Sequence, residues 1–192
     1  MPRKASGGVR GPVRAFVSID LPPEETAILA ALQERLPFGR RADPDTFHVT
    51  LAFLGEDVAE EAVETLHEEL IALRLPDFPL EVQGVSTLGA PAVLMADVIA
   101  SDPLVTLHAR VASACRRAGI TLDRRRFRPH VTLARFRRDL SAHDLDRLTR
   151  FLESEARFRL DPFNAGSFAL WQSMLTHDGP VHEELARYPL AR

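Results

Sequence analysis

The chain has 192 residues, a 45% apolar fraction and a formal net charge of −3. That is enough chain for one domain with a substantial core. No stretch approaches the roughly 20 apolar residues of a membrane helix, and the overall charge gives no global sign of a polyanion partner.

The start, MPRKASGGVRGPVR, is basic and Gly-rich and lacks the apolar segment of a secretory signal. Residues 1–12 read as a flexible tail before a single domain over 13–192. Val13–Ile19 reads as a strand, and Pro22-Pro23 opens a helix striped by Ile28, Leu29, Leu32 and Leu36. Pro37–Pro44 reads as a loop, and Phe47–Leu54 as a strand ended by Gly55. Val63, Leu66, Leu70 and Leu73 mark a second helix, closed by Pro76. Strands are expected near Leu80–Thr87 and Ala92–Ile99. Asp102-Pro103 opens a third helix carrying Leu104, Leu107, Val111 and Ala114, stopped by Gly119. Pro129–Phe136 is a strand, and Leu145, Leu148 and Leu152 mark a fourth helix. Phe158–Leu170 and His182–Leu190 read as strands around a turn at His177–Pro180.

Each half therefore supplies strand, helix, strand, helix, strands. The second strand of each half is short and amphipathic, which favours antiparallel or mixed sheets with helices outside over a buried parallel sheet. The expected fold is α+β and bilobal, with two lobes related by a pseudo-twofold about a central cleft.

The strongest signal is a repeat. His-Val-Thr-Leu-Ala occurs at His48–Ala52 and again at His130–Ala134. Side chains alternate along a strand, so His48 projects with Thr50, and His130 with Thr132. Imidazole titrates near neutral pH, and two facing imidazoles can serve as general base and general acid in one turnover. In-line displacement at phosphorus requires that pair: one group activates the entering oxygen, and the other protonates the leaving oxygen. The two threonine hydroxyls can hold non-bridging phosphoryl oxygens. The scheme needs no metal and no cofactor.

Other residues are weighed against this scheme. Arg124, Arg125, Arg126, Arg128, Arg135, Arg137 and Arg138 crowd the second motif, as a phosphate-tracking patch or a solvated surface. Arg128 is the foremost single candidate. Phe53 and Trp171 are candidates to stack on a base; core packing is an equal expectation for Trp171 and the favoured one for Phe53. Cys115, the only cysteine, excludes an internal disulfide and points to a reducing, cytoplasmic setting. It has no partner pattern for a nucleophile despite Arg116 and Arg117 beside it. His67-Glu68-Glu69 begins like a zinc-protease helix, but Ile71 stands where the second His belongs. His108, His143, His177 and His182 read as surface residues, His177 near the cleft rim. There is no phosphate loop and no dinucleotide fingerprint.

The chain resembles the two-histidine phosphoesterase superfamily, and within it the RNA 2′,3′-cyclic phosphodiesterases, historically called 2′-5′ RNA ligases. RAFVSIDLP at Arg14–Pro22 is similar to the family's opening strand. FHVTLAFLGE at Phe47–Glu56 and FRPHVTLARF at Phe127–Phe136 match its two motifs, and LWQSMLTHDGPVHEELARYPL at Leu170–Leu190 its closing strands. The longer N-terminal tail and His182 depart from it. The resemblance implies hydrolysis of a ribose 2′,3′-cyclic phosphate to a 2′-phosphomonoester. It implies His48 as general acid, His130 as general base, and Thr50 and Thr132 as phosphate ligands. The repeat alone does not distinguish acid from base. The expected partner is an RNA with a 2′,3′-cyclic phosphate end, tRNA fragments among them, or a cyclic nucleotide. The chain is expected to act as a monomer without a membrane.

Three rival readings stand beside this one. The first is a relative acting on a different cyclic phosphodiester. The second is reversible RNA joining without ATP, since Lys4 is the only lysine available for a lysyl-adenylate. The third is a non-catalytic RNA- or nucleotide-binding module.

Overall fold

The computed structural model describes residues 12–177 and 179–191. The expected tail, apart from Pro12, and Lys4 lie outside the described residues. The main sheet has the strand order β10-β9-β1-β3-β7-β6-β5. These strands are β1 (Val13–Asp20), β3 (His48–Val58), β5 (Val82–Leu88), β6 (Val93–Val98), β7 (His130–Arg135), β9 (Ser167–Leu175) and β10 (Pro180–Pro189). A short β2 (Arg40–Arg41) pairs with β7, and β4 (Phe78–Leu80) pairs with β8 (Phe163–Ala165) in a small second sheet. All pairings between these strands are antiparallel. With four α-helices among the described residues, the fold is α+β.

One face of the main sheet carries Val17, Ile19, Val49, Val131 and Leu170, all essentially closed to solvent. The helices pack there: α1 (Pro23–Glu34), α2 (Glu60–Ile71), α3 (Asp102–Arg117) and α4 (Ala142–Ser154). In α3 the expected stripe Leu104, Leu107, Val111 and Ala114 is fully buried. On α1 and α4 the stripe is narrower than expected. Ile28 and Leu145 are exposed, while Gln33 and Phe151 are buried. Gln33 tolerates burial because its amide donates to the carbonyls of Ala42 and Leu133, both at 2.7 Å.

Several boundaries differ from expectation. Gly55 does not end the second strand; β3 runs through it to Val58, and Gly55 takes φ 136° there, open to glycine but strained for other residues. The expected loop at Pro37–Pro44 contains β2. The expected strand at Phe158–Leu170 lies later, as β8 and β9, so Trp171 is within a strand.

The halves join where β3 and β7 pair at Val49 and Val131. Beyond that point both motif strands bulge identically. Thr50 pairs with Ser18 of β1, but Ala52 pairs with Val17, leaving Leu51 unmatched. Thr132 pairs with Met95 of β6, but Ala134 pairs with Leu94, leaving Leu133 unmatched. Two residues oppose one, as in a β-bulge. The consecutive Leu-Ala of each repeat is thereby buried on the helix side (Leu51 2%, Ala52 6%, Leu133 0%, Ala134 0% exposed). The shared pentapeptide encodes a strand, a bulge and a change of face.

Candidate active site

The register of β3 and β7 builds the site. Val49 faces Val131, so one residue to either side His48 stands opposite Thr132, and Thr50 opposite His130. All four lie on the sheet face away from the helices. Each half contributes one imidazole and one hydroxyl, crossed over the junction.

The two imidazoles are held alike. Nδ1 of His48 donates to the carbonyl of Thr46 at 2.7 Å, and Nδ1 of His130 to that of Arg128 at 2.8 Å. A backbone carbonyl only accepts, so Nδ1 carries the proton. Nε2 of each ring is then the nitrogen left for a ligand.

Their surroundings differ. His48 stacks on Phe16 of β1, with ring centroids 4.8 Å apart and 24° between planes. His182 of β10 meets His48 edge-on at 5.8 Å and Phe16 edge-on at 4.9 Å. Burial pushes the His48 pKa down to about 4; the Thr46 carbonyl opposes this, and the charges of His182 and His130 add to it. His182 is lowered too, by burial and by Arg14. The reading of His182 as a surface residue is therefore corrected: β10 turns it onto the site face opposite Ser173 of β9. The alternation in Arg14–Asp20 carried a related signal. Ala15, Val17 and Ile19 face the core, while Arg14, Phe16, Ser18 and Asp20 share the other face.

The His130 side is polar. Asp97 of β6 is the cross-strand partner of His130. The guanidinium of Arg128 is fixed by Ser86 Oγ at 3.0 Å and Asp97 Oδ1 at 3.2 Å. Arg40 of β2 directly faces Arg135 of β7, both exposed. A like-charged cross-strand pair is unfavourable without an anion nearby. Arg40 went unnoticed in the sequence because it belongs to the other half; only the β2–β7 pairing brings it here. Of the remaining cluster, Arg137 pairs with Asp144 and Arg125 with Asp123, while Arg124, Arg126 and Arg138 are exposed.

Phe53 is not in the core: it is 41% exposed with the Arg14 guanidinium 4.9 Å above its ring. The bulge at Leu51 rotates it onto the site face opposite Phe16. Trp171, half-buried, also pairs with Phe16 and lies parallel to it, centroids 6.4 Å apart.

Other candidates fall elsewhere. His108 is half-buried, contrary to expectation; its ring stacks on Phe127 at 3.8 Å, and its Nδ1 donates to the Leu51 carbonyl. His67 hydrogen-bonds the Tyr188 hydroxyl at 2.9 Å, beside a shallow depression between α2 and β10 on the helix side. His143 and His177 are exposed. Cys115 is buried, and burial pushes its thiol up to about 11, which suits packing and not nucleophilic attack.

A family model described as the 2′-5′ RNA ligase superfamily matches residues 21–173. The RNA 2′,3′-cyclic phosphodiesterase of Aeropyrum pernix is 27% identical over 150 residues, 76% of this chain and 83% of that protein. The Escherichia coli protein of the same name is 33% identical over 128 residues, 65% of this chain and 72% of that protein. Among solved structures, Escherichia coli LigT complexed with 3′-AMP has a TM-score of 0.78 at 23% identity, covering 94% of this chain and 99% of that one. TT0787 of Thermus thermophilus has a TM-score of 0.72 at 26% identity, covering 92% and 97%. The family match contains both His-x-Thr strands and the β3–β7 junction that crosses them, and the chain belongs to the 2′-5′ RNA ligase superfamily.

Proposed function

We propose that this chain hydrolyses the 2′,3′-cyclic phosphate ends of RNA, or of nucleotides, to 2′-phosphomonoesters, using side chains alone for acid–base catalysis. The observation that carries the reading is the Val49–Val131 pairing, which sets two His-x-Thr units in opposite directions on one open face. The curated relatives named RNA 2′,3′-cyclic phosphodiesterase support the substrate class.

Nε2 of His130 takes a proton from water as its oxygen bonds to phosphorus. The bond from phosphorus to the ribose 3′ oxygen breaks opposite the entering water, and His48 gives its proton to that oxygen. Thr50 and Thr132 donate to the non-bridging oxygens, which gain charge in the transition state. Arg128 adds a fixed positive charge beside His130. Phe16, Phe53 and Trp171 offer apolar surface to a base on the His48 side.

His48 is neutral at pH 7 before substrate binds, so its role as acid requires the ring to take up a proton from solvent as the substrate binds. An anionic phosphate beside the ring supplies the driving force. RNA fragments such as those of tRNA fall within this substrate class. The chain acts as a monomer in the cytoplasm, a setting that the lone, buried thiol of Cys115 suits.

The test is purified protein with 2′,3′-cyclic AMP in excess EDTA. The 2′ monoester should accumulate. No turnover in chelator with recovery on one divalent ion, or formation of the 3′ monoester, overturns the mechanism.

A further inference from the structure

Ser18 is fully buried, and its hydroxyl has no hydrogen-bond partner. A closed-off hydroxyl in that state carries an uncompensated desolvation cost, and native structures hold few of them. Its place in the sheet shows what it can reach. Val17 and Ile19 point into the core, so Ser18 points to the site face. Its cross-strand neighbours there are Ala169 of β9, which offers only a methyl group, and Thr50 of β3. Directly opposed residues hold their Cβ atoms about 4.5–5.5 Å apart, near enough for two hydroxyls to bond. Phe16 and His48 stand one rung away on either side along the same ladder, their rings stacked 4.8 Å apart, and Ser18 is closed to solvent while Thr50 stays partly exposed.

We propose that Ser18 is a positioning residue for Thr50, donating a hydrogen bond to Thr50 Oγ when Thr50 gives its own proton to the phosphoryl group. A hydroxyl has one proton and two lone pairs. A threonine that donates to phosphate still has lone pairs to offer, and Ser18 is the buried donor without other use. Filling that lone pair orients the Thr50 proton toward the ligand and strengthens its bond. The inference rests on the reading of Thr50 as a phosphate ligand. It also makes the two threonines unequal, because Met95, with no proton to give, opposes Thr132.

The experiment measures inorganic phosphate binding by calorimetry and turnover of 2′,3′-cyclic AMP. The variants are Ser18→Ala, Ser18→Cys, Thr50→Ala, Thr132→Ala and the doubles Ser18→Ala/Thr50→Ala and Ser18→Ala/Thr132→Ala. Ser18→Ala should bind phosphate about fivefold more weakly, the effect of one net hydrogen bond, while its melting temperature stays level or rises. Ser18→Cys, close in size but a poor donor, should behave as Ser18→Ala. The fivefold loss should vanish in the Thr50→Ala background and persist in the Thr132→Ala background. A loss of the same size in both backgrounds overturns the proposal, as does full affinity in Ser18→Ala when Thr50→Ala is impaired. Full phosphate affinity in Thr50→Ala instead overturns the underlying reading of the site.

Discussion

Phe16 covers one face of the His48 imidazole, with ring centroids 4.8 Å apart, and this contact separates the chemistry of the two histidines. A cation is poorly solvated between a phenyl ring and the edge of His182, so His48 is held neutral down to about pH 4. An anion bound beside the ring favours its charged form. Binding of inorganic sulfate, which does not itself titrate in this range, should therefore take up a proton at pH 6. Calorimetry in buffers of differing ionisation enthalpy reads that uptake directly. Proton release, or none, would contradict an acid role for His48. Phe16→Ala should raise the His48 pKa toward its ordinary value by admitting water, measured from the imidazole proton shifts.

The same depressed pKa sets a stability window. The unfolded chain holds His48 near 6.5 and the folded chain near 4, so between these values the unfolded state binds more protons. The contribution of His48 to stability is complete above about pH 6.5 and is lost as pH falls toward 4. Denaturant midpoints of His48→Gln should fall less across that interval than those of the unsubstituted chain. Parallel pH curves for the two would show that His48 titrates normally in the folded protein.

The pairing of each His with a Thr was legible in the sequence, because two residues of the same parity on a strand share a face whatever lies beyond. The faces of their neighbours were not. Parity carried on from His48 puts Phe53 in the core, but the bulge at Leu51 inserts one residue and reverses the assignments of Ala52, Phe53 and Leu54, until a second register shift before Gly55 restores the alternation. His182 and Arg40 were invisible for a different reason. Each reaches the site through pairing between strands distant in sequence: β9, the hairpin partner of His182's strand, pairs with β1, and β2 with Arg40 pairs with β7. Local alternation says which face a residue takes, and not which strand stands beside it.

Removal of either imidazole should lower kcat for 2′,3′-cyclic AMP by roughly a hundredfold or more, since each takes away a proton-transfer partner. His48→Ala and His130→Ala together should cost less than the product of the single losses, because the pair acts as one unit. The profile of rate against pH should be bell-shaped and should report the pair. Rapid-quench kinetics on each variant check this. Near-normal turnover in either single variant would remove that residue from the mechanism.

Thr50→Ala and Thr132→Ala should each fold normally and weaken the transition state by about 2–4 kcal/mol, the usual range for one donor in a preorganised anion site. Neither side chain faces the core, so thermal melting should scarcely change. kcat/KM read beside melting separates the two effects. Full activity in both variants would reduce the threonines to ordinary strand residues.

The arginines divide by what holds them, and so should their effects. Arg128 is tied to Ser86 and Asp97 beside His130, so Arg128→Ala should impair a cyclic mononucleotide and an oligonucleotide alike. Arg124, Arg126 and Arg138 are exposed at the edge of the second motif, and Arg40 faces Arg135 across β2 and β7. On the proposed function, these should meet phosphates that only a longer chain supplies. Each such contact releases counterions, so log affinity for a single-stranded oligonucleotide should fall with log salt by about 0.7 per phosphate engaged. A mononucleotide should give a shallower slope. Arg40→Gln should relieve the repulsion at Arg135, leave mononucleotide kcat nearly unchanged and flatten the oligonucleotide slope. Substituting Arg124–Arg126 with glutamine should act in the same direction. Fluorescence anisotropy across a salt series measures both ligands under one set of conditions. Equal slopes for the two would mean that recognition ends at the terminal nucleotide and that the arginine surface is merely solvated.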